Sequence, residues 1–394
     1  MKLKDRVLLN LKERRERLLS GKINSIPSPF IRFKDDFVGV EQGRYYLVTA
    51  ATKAGKSQFA SFMFIYNTLL YAYAHPEQVS VKIIYYPLEE TPENVMERFM
   101  SYLLYTLSGF KIRISPQDLK STDNTKPLSE EILNILNSEE YGEILQFFED
   151  SITFSYSTNA TGVWKECKKY AEENGTVHTK PIKIKDDFGL TKEVNAFDYY
   201  EPNNPNEYRI IFFDHLSLIS TEKGMDLRQS MSKLSEYLVT LRNRYKFTPV
   251  VIQQQAMFEN TDAFKMNKLT PSITNLADNK AIARDVDVCL ALFSPFRYEI
   301  PEHHGYNIRM LKDNVRFLEV LLNRSGQSNG VVALYFDGAV NYFEELPKAD
   351  DQIALNKVYK QIQSRKSKSF LLITKYGKHL YDTGKKWFRK IHKY

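Results

Sequence analysis

The sequence predicts an α/β fold in which a twisted, mainly parallel β-sheet is flanked by helices. Six segments are apolar at nearly every position and rich in β-branched or aromatic residues, and helical patterns separate most of them. Almost continuous apolar runs are typical of strands in parallel sheets, because both faces of such a sheet are covered. The alternation of these strands with helices indicates a doubly wound arrangement.

The elements follow one another in a regular order along the chain. The predicted strands are residues 45–49, 81–86, 152–156, 210–213, 250–252 and 286–293. The helices predicted from apolar residues at helical spacing are 57–73, 93–107, 162–173 and 229–245. Near the end of the core, apolar segments at 317–323 and 331–336 flank a Gly-containing connection, which predicts a β-hairpin.

Three regions depart from this alternation of strands and helices. Residues 3–19 place leucines and a valine near helical spacing among many charges, which predicts an amphipathic helix ahead of the core. Residues 109–137 and 173–207 break the alternation of strands and helices, so we expect insertions or long surface loops there. The predicted organisation is an N-terminal helical segment at 1–23, a core at 24–346 with an insertion at about 173–207, and a basic tail at 347–394.

Composition limits the class of protein. The chain has 394 residues, of which 43% are hydrophobic, enough for a sizeable buried core. It contains no apolar run of 18 residues and no signal-peptide pattern, so we expect a cytoplasmic protein that does not contact membranes. Cys167 and Cys289 are too few and too far apart for a disulfide framework or a zinc site, and both fit core positions.

A phosphate-binding loop follows the first strong strand. Residues 50–57 match the pattern G-x-x-x-x-G-K-[ST] except at Ala50, and they lie between a predicted strand and a predicted helix. In such a loop, backbone amides and a helix N-terminus face the phosphates, Lys56 is a point cation and the Ser57 hydroxyl is a magnesium ligand. The alternative is a strand-turn-helix that happens to contain Gly-Lys-Ser. The predicted ATP and Mg²⁺ site comprises Ala50, Ala51, Thr52, Lys53, Ala54, Gly55, Lys56 and Ser57.

Three further polar residues follow buried strands. Asp214 ends the strand at 210–213 and is predicted to lie beside the magnesium ion, although many strands end in an aspartate that caps the next turn. Glu89 follows the second strand, where it could deprotonate the attacking water or simply begin the next helix. Gln255 ends another strand with an amide that can bond to phosphate or water, or it enters a solvated loop.

In this order and spacing, the segments resemble the RecA-like motor domain of DnaB-family replicative helicases over roughly residues 24–346. The Asp-His-Leu-Ser-Leu form at 214–218 looks most like phage primase-helicases. Alanine at the first loop position is tolerated in that family, so Ala50 does not count against nucleotide binding. The resemblance is carried by the loop at 50–57, Leu88-Glu89, Asp214 to Leu218, Gln255, Ile282 to Asp287, Asn323 to Gly326 and Tyr342 to Glu344.

The resemblance implies a role for several of these positions. Glu89 would be the catalytic base, Gln255 a γ-phosphate sensor coupled to DNA-contacting loops, and Arg324 an arginine finger for the nucleotide of the neighbouring subunit. Without the resemblance, Arg324 is more simply a solvated turn residue. Family members usually carry a lysine two residues before this arginine, whereas Leu322 occupies that position here. Activation across the subunit interface would then be weaker or arranged differently.

Nucleic-acid contacts are expected in two places. In a RecA-like ring, the loops after the Asp214 and Gln255 strands face the central channel, although acidic residues in both loops also suit a solvated, mixed-charge surface. The tail interleaves aromatic residues with cations, which suits binding to single-stranded DNA, and docking of a replication partner is the alternative. Residues 356–394 hold 12 lysines and arginines against one acid, whereas the whole chain has a net charge of +7. The candidate phosphate contacts in the loops are Lys223, Arg228, Lys265 and Lys268.

The implied function is an ATP-driven DNA helicase that forms a homo-oligomeric ring, with a hexamer expected, and translocates 5′ to 3′ on single-stranded DNA. The setting would be phage-like replication in the cytoplasm of a bacterial host, with a primase or a helicase loader as candidate partners. The helix at 3–19 would dock on the adjacent subunit. The alternatives are a RecA/RadA-like recombination ATPase, which forms filaments, and a non-unwinding ATP-binding scaffold or loader.

Overall fold

The computed structural model describes residues 3–185, 191–256, 269–277 and 280–365, and its centre is a nine-stranded β-sheet. Three two-stranded ribbons accompany that sheet in the described part of the chain. The strands are Ser25–Pro27 (β1), Gly39–Glu41 (β2), Tyr46–Ala50 (β3), Ser80–Pro87 (β4), Ile152–Phe154 (β5), Gly175–Lys185 (β6), Thr191–Pro202 (β7), Glu207–Asp214 (β8), Thr248–Gln254 (β9), Val288–Phe293 (β10), Glu302–His303 (β11), Tyr306–Asn307 (β12), Val315–Asn323 (β13), Val331–Asp337 (β14) and Tyr342–Glu345 (β15).

The central sheet is mainly parallel. Its strand order is β15-β14-β13-β10-β3-β9-β8-β4-β5. The six strands from β10 to β5 are mutually parallel, and β13, β14 and β15 extend the sheet in antiparallel fashion. The predicted α/β fold is therefore confirmed, and the predicted hairpin near the end of the core is β13 with β14.

Helices cover both faces of this sheet. One face packs against α2, α3, α4 and α7 in an extensive core that includes Phe59, Leu103 and Phe148, and the other packs against α8 and α9 through residues such as Val163 and Leu238. The helices are Leu3–Leu19 (α1), Lys56–Ser61 (α2), Asn67–Ala74 (α3), Pro92–Leu107 (α4), Pro116–Leu119 (α5), Glu130–Leu136 (α6), Glu139–Ser151 (α7), Ala160–Glu173 (α8), Leu227–Tyr245 (α9), Ile308–Leu311 (α10) and Gln352–Arg365 (α11).

Local sequence signals explain where several helices begin and end. Thr91 precedes α4 and its side chain accepts a hydrogen bond from the Asn94 amide, with Pro92 at the first helical position. Asp226 and Gln229 form a reciprocal capping box at the start of α9. The helix predicted at 57–73 is in fact α2, a π-helical turn at Phe62–Tyr66 and α3, and the buried rings of this turn pack against α4.

Two segments that were predicted to be insertions or long surface loops contain regular structure. Most of the segment 173–207 forms an antiparallel ribbon, β6 with β7, instead of an irregular loop. Most of its side chains are exposed or half-buried on both faces, so the apolar alternation by which a strand is recognised is weak. The segment 109–137 contains the short helices α5 and α6, each preceded by a serine that caps it.

The two ends of the core carry helices of different kinds. The predicted N-terminal helix is α1, and none of its residues is buried, including its leucines. At the other end, α11 packs Leu355, Tyr359 and Ile362 against the core. The tail beyond residue 365 lies outside the described residues. No helix in the described part of the chain is both long and apolar enough to cross a membrane.

Candidate nucleotide-binding site

The predicted phosphate loop lies at the carboxyl edge of the sheet. Strand β3 ends at Ala50 and α2 begins at Lys56, so residues 51–55 connect a central strand directly to a helix N-terminus. Gly55 has a φ of +95°, and a Cβ atom there would lie 3.2 Å from the ring of Phe336. The backbone conformation therefore favours glycine, and any larger residue would also require a small shift of the Phe336 ring. The backbone amides at the start of the helix are available to an anion.

Ser57 and Asp214 are brought together at this edge. The Ser57 hydroxyl donates a hydrogen bond of 2.9 Å to Oδ1 of Asp214, whose side chain is buried. Burial, and then the charge of Glu90, raise the pKa of Asp214 to about 7. A hydroxyl and a carboxylate beside a phosphate loop are oxygen donors of the kind that Mg²⁺ prefers, so this pair fits the predicted magnesium site.

Two adjacent acids follow β4, and the structure separates them. Pro87 on β4 pairs with Asp214 on β8, so both acids emerge beside the Ser57–Asp214 pair. Glu90 is bonded to Arg98 and accepts a hydrogen bond of 3.2 Å from Tyr85. Glu89 is 54% exposed, and its carboxylate lies 3.9 Å from Nε2 of His215. Glu89 therefore has the freedom to meet a water molecule, whereas Glu90 is held in a structural ion pair.

Gln254, the last residue of β9, and Gln255, which follows it, bond to different segments. Gln254 pairs with Ala50 in the sheet and donates to the Thr52 hydroxyl, which links it to the phosphate loop. Gln255 is buried, donates 3.0 Å to the Thr49 hydroxyl and accepts a hydrogen bond of 3.4 Å from the Ser272 amide. Gln255 thus joins the strand before the phosphate loop to the segment 269–277, and Gln254 is the nearer of the two to the loop itself.

Arg316 is a site residue that the sequence analysis missed. It is only 1% exposed, and its Nε atom donates 2.7 Å to the carbonyl of Ala54 in the phosphate loop. Its Nη1 atom lies 3.0 Å from Oδ1 of Asp313, and its guanidinium stacks 4.4 Å from the ring of Phe336. A charged residue within an apolar strand was the available signal, but its partner could not be read from the sequence.

Arg324 lies at the opposite edge of the sheet. Its Nε atom donates 2.8 Å to the carbonyl of Val286, and its Nη2 atom donates to the carbonyl of Arg284. Leu322, where family members usually carry a lysine, packs against the core beneath α8 and α9. Neither side chain contacts the phosphate loop of its own chain.

The predicted DNA contacts are only partly described. Lys223 and Arg228 are exposed on the segment that follows β8, near the start of α9. Both acids of the segment have other partners: Glu222 is bound by Lys233 and by the Thr161 amide, and Asp226 accepts from the Gln229 amide. Lys265 and Lys268 lie outside the described residues.

A cavity adjoins the phosphate loop. Its volume is about 850 Å³, and Lys53 of the loop contributes to its wall. The remaining lining residues are Phe296, Arg297, Glu299, Ile300, Ile308, Arg309 and Asp313. The cavity mixes an aromatic ring, aliphatic side chains and arginines, which suits a flat heteroaromatic group carrying hydrogen-bond acceptors.

The mainly parallel sheet, with helices on both faces and a phosphate-loop sequence between β3 and α2, matches the architecture of RecA-like ATPase domains. Within that class, the family model of the DnaB-like helicase C-terminal domain matches residues 148–345, half of the chain, and the protein belongs to this family. The matched residues include Asp214, Gln255 and Arg324, and the phosphate loop and Glu89 precede them. The resemblance predicted from the sequence is confirmed.

Solved structures show the same fold. One structure, described as an ATPase domain, is similar with a TM-score of 0.57 at 15% identity, over 87% of this chain and 98% of that one. Another, described as a DnaB-like replicative helicase and its interactions with primase, has a TM-score of 0.56 at 15% identity, over 87% of this chain and 67% of that one. No curated protein sequence matches the chain.

Proposed function

We propose that this DnaB-like helicase domain hydrolyses ATP with Mg²⁺ at the interfaces of a homo-oligomeric ring and translocates on single-stranded DNA to unwind duplex during replication. The observation that carries the proposal is the hydrogen bond between Ser57 and Asp214 beside the phosphate loop. The pair presents two oxygen donors at a helix N-terminus, where the phosphates and their cation would lie.

The residues of one chain would form the first half of the catalytic site. The backbone at 51–55 and Lys56 would bind the phosphates, and Ser57 with Asp214 would hold Mg²⁺, which offsets the negative charge that develops on them. Glu89 would accept a proton from the attacking water, because it is the more exposed of the two acids after β4. Gln255 would sense the γ-phosphate through its bond to Thr49 and transmit the change towards residues 269–277.

The second half would come from a neighbouring subunit. Leu318 on β13 is level with Leu292 and, through it, with Ala50 at the phosphate-loop edge. Arg324 lies six residues further along the antiparallel β13, about 20 Å away at the usual rise per residue. An arginine at that edge cannot reach its own phosphate loop, but it could act as a finger in the site of another copy. The apolar Leu322 leaves Arg324 without the usual companion lysine.

The exposed helix α1 supports a ring. Leu11 is 59% exposed and Leu18 is 61% exposed, and five further large apolar side chains of the same helix are exposed with them. Exposed apolar side chains that are clustered in this way mark an interaction surface. We infer that α1 docks on the adjacent subunit. The central channel would then bind DNA through Lys223, Arg228, Lys265 and Lys268, assisted by the basic tail. Travel from 5′ to 3′, a hexameric ring, a phage-like setting and a primase or loader as partner extend the same proposal.

The test compares forked-duplex unwinding and ATP hydrolysis for the parent, Lys56→Ala, Arg324→Ala and a mixture of the two variants. Each variant alone should lose both activities. The mixture should recover part of the hydrolysis, since some interfaces would combine an intact phosphate loop with an intact Arg324. Hydrolysis by the parent without unwinding would contradict the helicase proposal and favour an ATP-binding scaffold or loader. A mixture with no recovery would contradict the shared site.

A further inference from the structure

A second cluster of polar side chains lies away from the phosphate loop. It consists of His303 on β11, His304 in the turn that follows, and Glu319 on β13. One potential ligand atom from each residue lies within 4.8 Å of the others. Among the described residues, this is the one group of three histidine, cysteine or acidic side chains with such spacing.

The turn between β11 and β12 brings the two histidines to the same side. Consecutive residues of an extended strand point to opposite faces, but His304 has a φ of +46° and Gly305 a φ of +77°. Two central residues with positive φ characterise a type I′ hairpin turn. As a result, the imidazole rings of His303 and His304 lie only 4.4 Å apart between centroids.

Polar atoms in this cluster have no partner in the described part of the chain. Nε2 of His303 is buried without a hydrogen bond. Glu319 forms no hydrogen bond or ion pair with a described residue, although it lies within β13 between Ala291 and Val331. An unsatisfied buried nitrogen facing an uncompensated carboxylate costs free energy, so the arrangement calls for a shared partner.

Aromatic rings surround His303, and no cation of the described residues pairs with Glu319. The ring of Phe317 lies 4.5 Å from that of His303, and the ring of Phe293 lies 5.1 Å from it. Burial lowers the pKa of His303 to about 4 and raises that of Glu319 to about 7. The buried Nε2 atom of His303, which has no hydrogen-bond partner among the described residues, is the nitrogen through which this side chain could bind a metal.

We propose that His303, His304 and Glu319 bind a divalent transition-metal cation of the zinc type. Two imidazole nitrogens and one carboxylate oxygen form a donor set that suits Zn²⁺ or Co²⁺ and leaves a fourth position for water, whereas Mg²⁺ and Ca²⁺ prefer oxygen alone. Ligand atoms around tetrahedral zinc are about 3.3 Å apart, so modest side-chain rotations close the present spacing. The bound ion would fasten the β11–β12 ribbon to β13 by supplying the partner that Nε2 of His303 and Glu319 lack.

The experiment uses the full chain, stripped of metal by a chelator and kept in excess Mg²⁺ so that oxygen-only sites are occupied. Zn²⁺ is titrated against a chromophoric chelator, and Co²⁺ is followed by its visible absorption. The parent should bind one equivalent of Zn²⁺. His304→Asn and Glu319→Gln should each lower the affinity for this ion about tenfold or more. Asparagine tolerates the positive φ of the turn, so His304→Asn removes the ligand while preserving the backbone. His178→Asn, which removes a histidine beside Glu201 on the β6–β7 ribbon, is the control and should bind as the parent does.

Unchanged zinc affinity and stoichiometry in both variants would overturn the proposal. Thermal unfolding without metal shows whether the variants fold, and Glu319→Gln should unfold no lower than the parent because it removes an uncompensated carboxylate. If the variants fail to fold, the parent decides the matter. Its unfolding midpoint must rise with Zn²⁺ and stay unchanged with further Mg²⁺, and a midpoint indifferent to Zn²⁺ would also overturn the proposal.

Discussion

Ser57 donates its hydroxyl proton to Oδ1 of Asp214 across 2.9 Å, joining two segments that are 157 positions apart in the sequence. Ser57 belongs to the first turn of α2, and Asp214 is the last residue of β8. Since β8 and β3 are both parallel to β9 and end at the same edge of the sheet, the fold itself brings the two side chains together. In the nucleotide-free protein, the carboxyl group of Asp214 is buried at this contact.

That burial predicts a pH-dependent stability. Asp214 has a pKa raised from 3.8 to about 7, first by burial and then by Glu90. The folded protein holds the proton of Asp214 more tightly than the unfolded chain does. The free energy of unfolding should therefore fall as the pH rises from about 4 to about 7. Asp214→Asn removes this penalty, on the order of 4 kcal/mol at pH 8, and should raise the unfolding midpoint of the nucleotide-free protein more at pH 8 than at pH 5.

Asp337→Asn is the matched control for this prediction. Asp337 is also buried, but Arg113 binds it with two hydrogen bonds of 2.8 Å. Its substitution should therefore lower the midpoint at both pH values. Asp214→Asn should in addition abolish Mg²⁺-dependent ATP hydrolysis. If Asp214→Asn has a lower unfolding midpoint than the parent at pH 8, Asp214 is not the destabilising acid inferred from its burial.

Substitution of Glu89 should affect catalysis, whereas substitution of Glu90 should affect stability. Glu89→Gln should lower kcat by about 10² or more with ATP affinity retained, because it removes the proposed base and no structural ion pair. Glu90→Gln should chiefly lower stability, by about 1–3 kcal/mol, because Arg98 loses the charged partner that holds it. Steady-state hydrolysis and urea unfolding of both variants measure the contrast. The reverse pattern, with Glu90→Gln inactive and Glu89→Gln active, would reassign the base.

These acids also show how far the sequence could specify the site. The strand ends at Ala50, Asp214 and Gln255 could be placed because apolar runs and parallel strands fix which residues meet at one edge. The residue pattern alone did not separate Glu89 from Glu90, and the choice of Glu89 rested on the family resemblance. In the structure the distinction depends on Arg98 of α4, eight residues after Glu90. Arg316 was missed for a stronger reason, because its acceptor at Ala54 is 262 positions away and side-chain direction follows from sheet register.

Arg316 should support the phosphate loop, and its loss should weaken ATP binding. Arg316→Lys retains the charge but cannot maintain the bonds to Ala54, Asp313 and Val315 together. We expect the Kd for ATP to rise about tenfold, the equivalent of one hydrogen bond of about 1.4 kcal/mol. Nucleotide-binding calorimetry measures the change. Arg113→Lys, which alters an arginine bonded to Asp337 and not to the loop, should leave the Kd within twofold or so.

The basic tail should contribute sequence-independent affinity for single-stranded DNA. Because α11 buries Leu355 and Tyr359 in the core, an informative truncation removes residues 366–394 and keeps α11. The truncated chain should show a smaller slope of log affinity against log salt, by about 0.7 for each DNA phosphate that the tail no longer neutralises. Fluorescence anisotropy with an oligothymidine at several salt concentrations measures this. An unchanged slope would instead favour a tail that docks a protein partner.

The leucines of α1 should be needed for assembly and dispensable for folding. Leu11→Glu combined with Leu18→Glu places two charges on side chains that are about three-fifths exposed, so the unfolding free energy of the monomer should change by less than about 0.5 kcal/mol per site. In the proposed ring, the same charges would be buried against a neighbour and should prevent assembly. Light scattering after size-exclusion chromatography measures the mass, and chemical unfolding measures stability.

Lys12→Glu controls for the added acid, because it alters a different side of α1 and leaves the leucines intact. It should assemble as the parent does, apart from losing the weak ion pair with Glu16. If the leucine variant assembles normally and hydrolyses ATP at the parental rate, α1 is not the interface helix. If it is monomeric yet hydrolyses ATP at that rate, the site needs no neighbour and Arg324 cannot be acting across an interface. Only a folded monomer with greatly reduced hydrolysis agrees with both α1 and Arg324 acting between subunits.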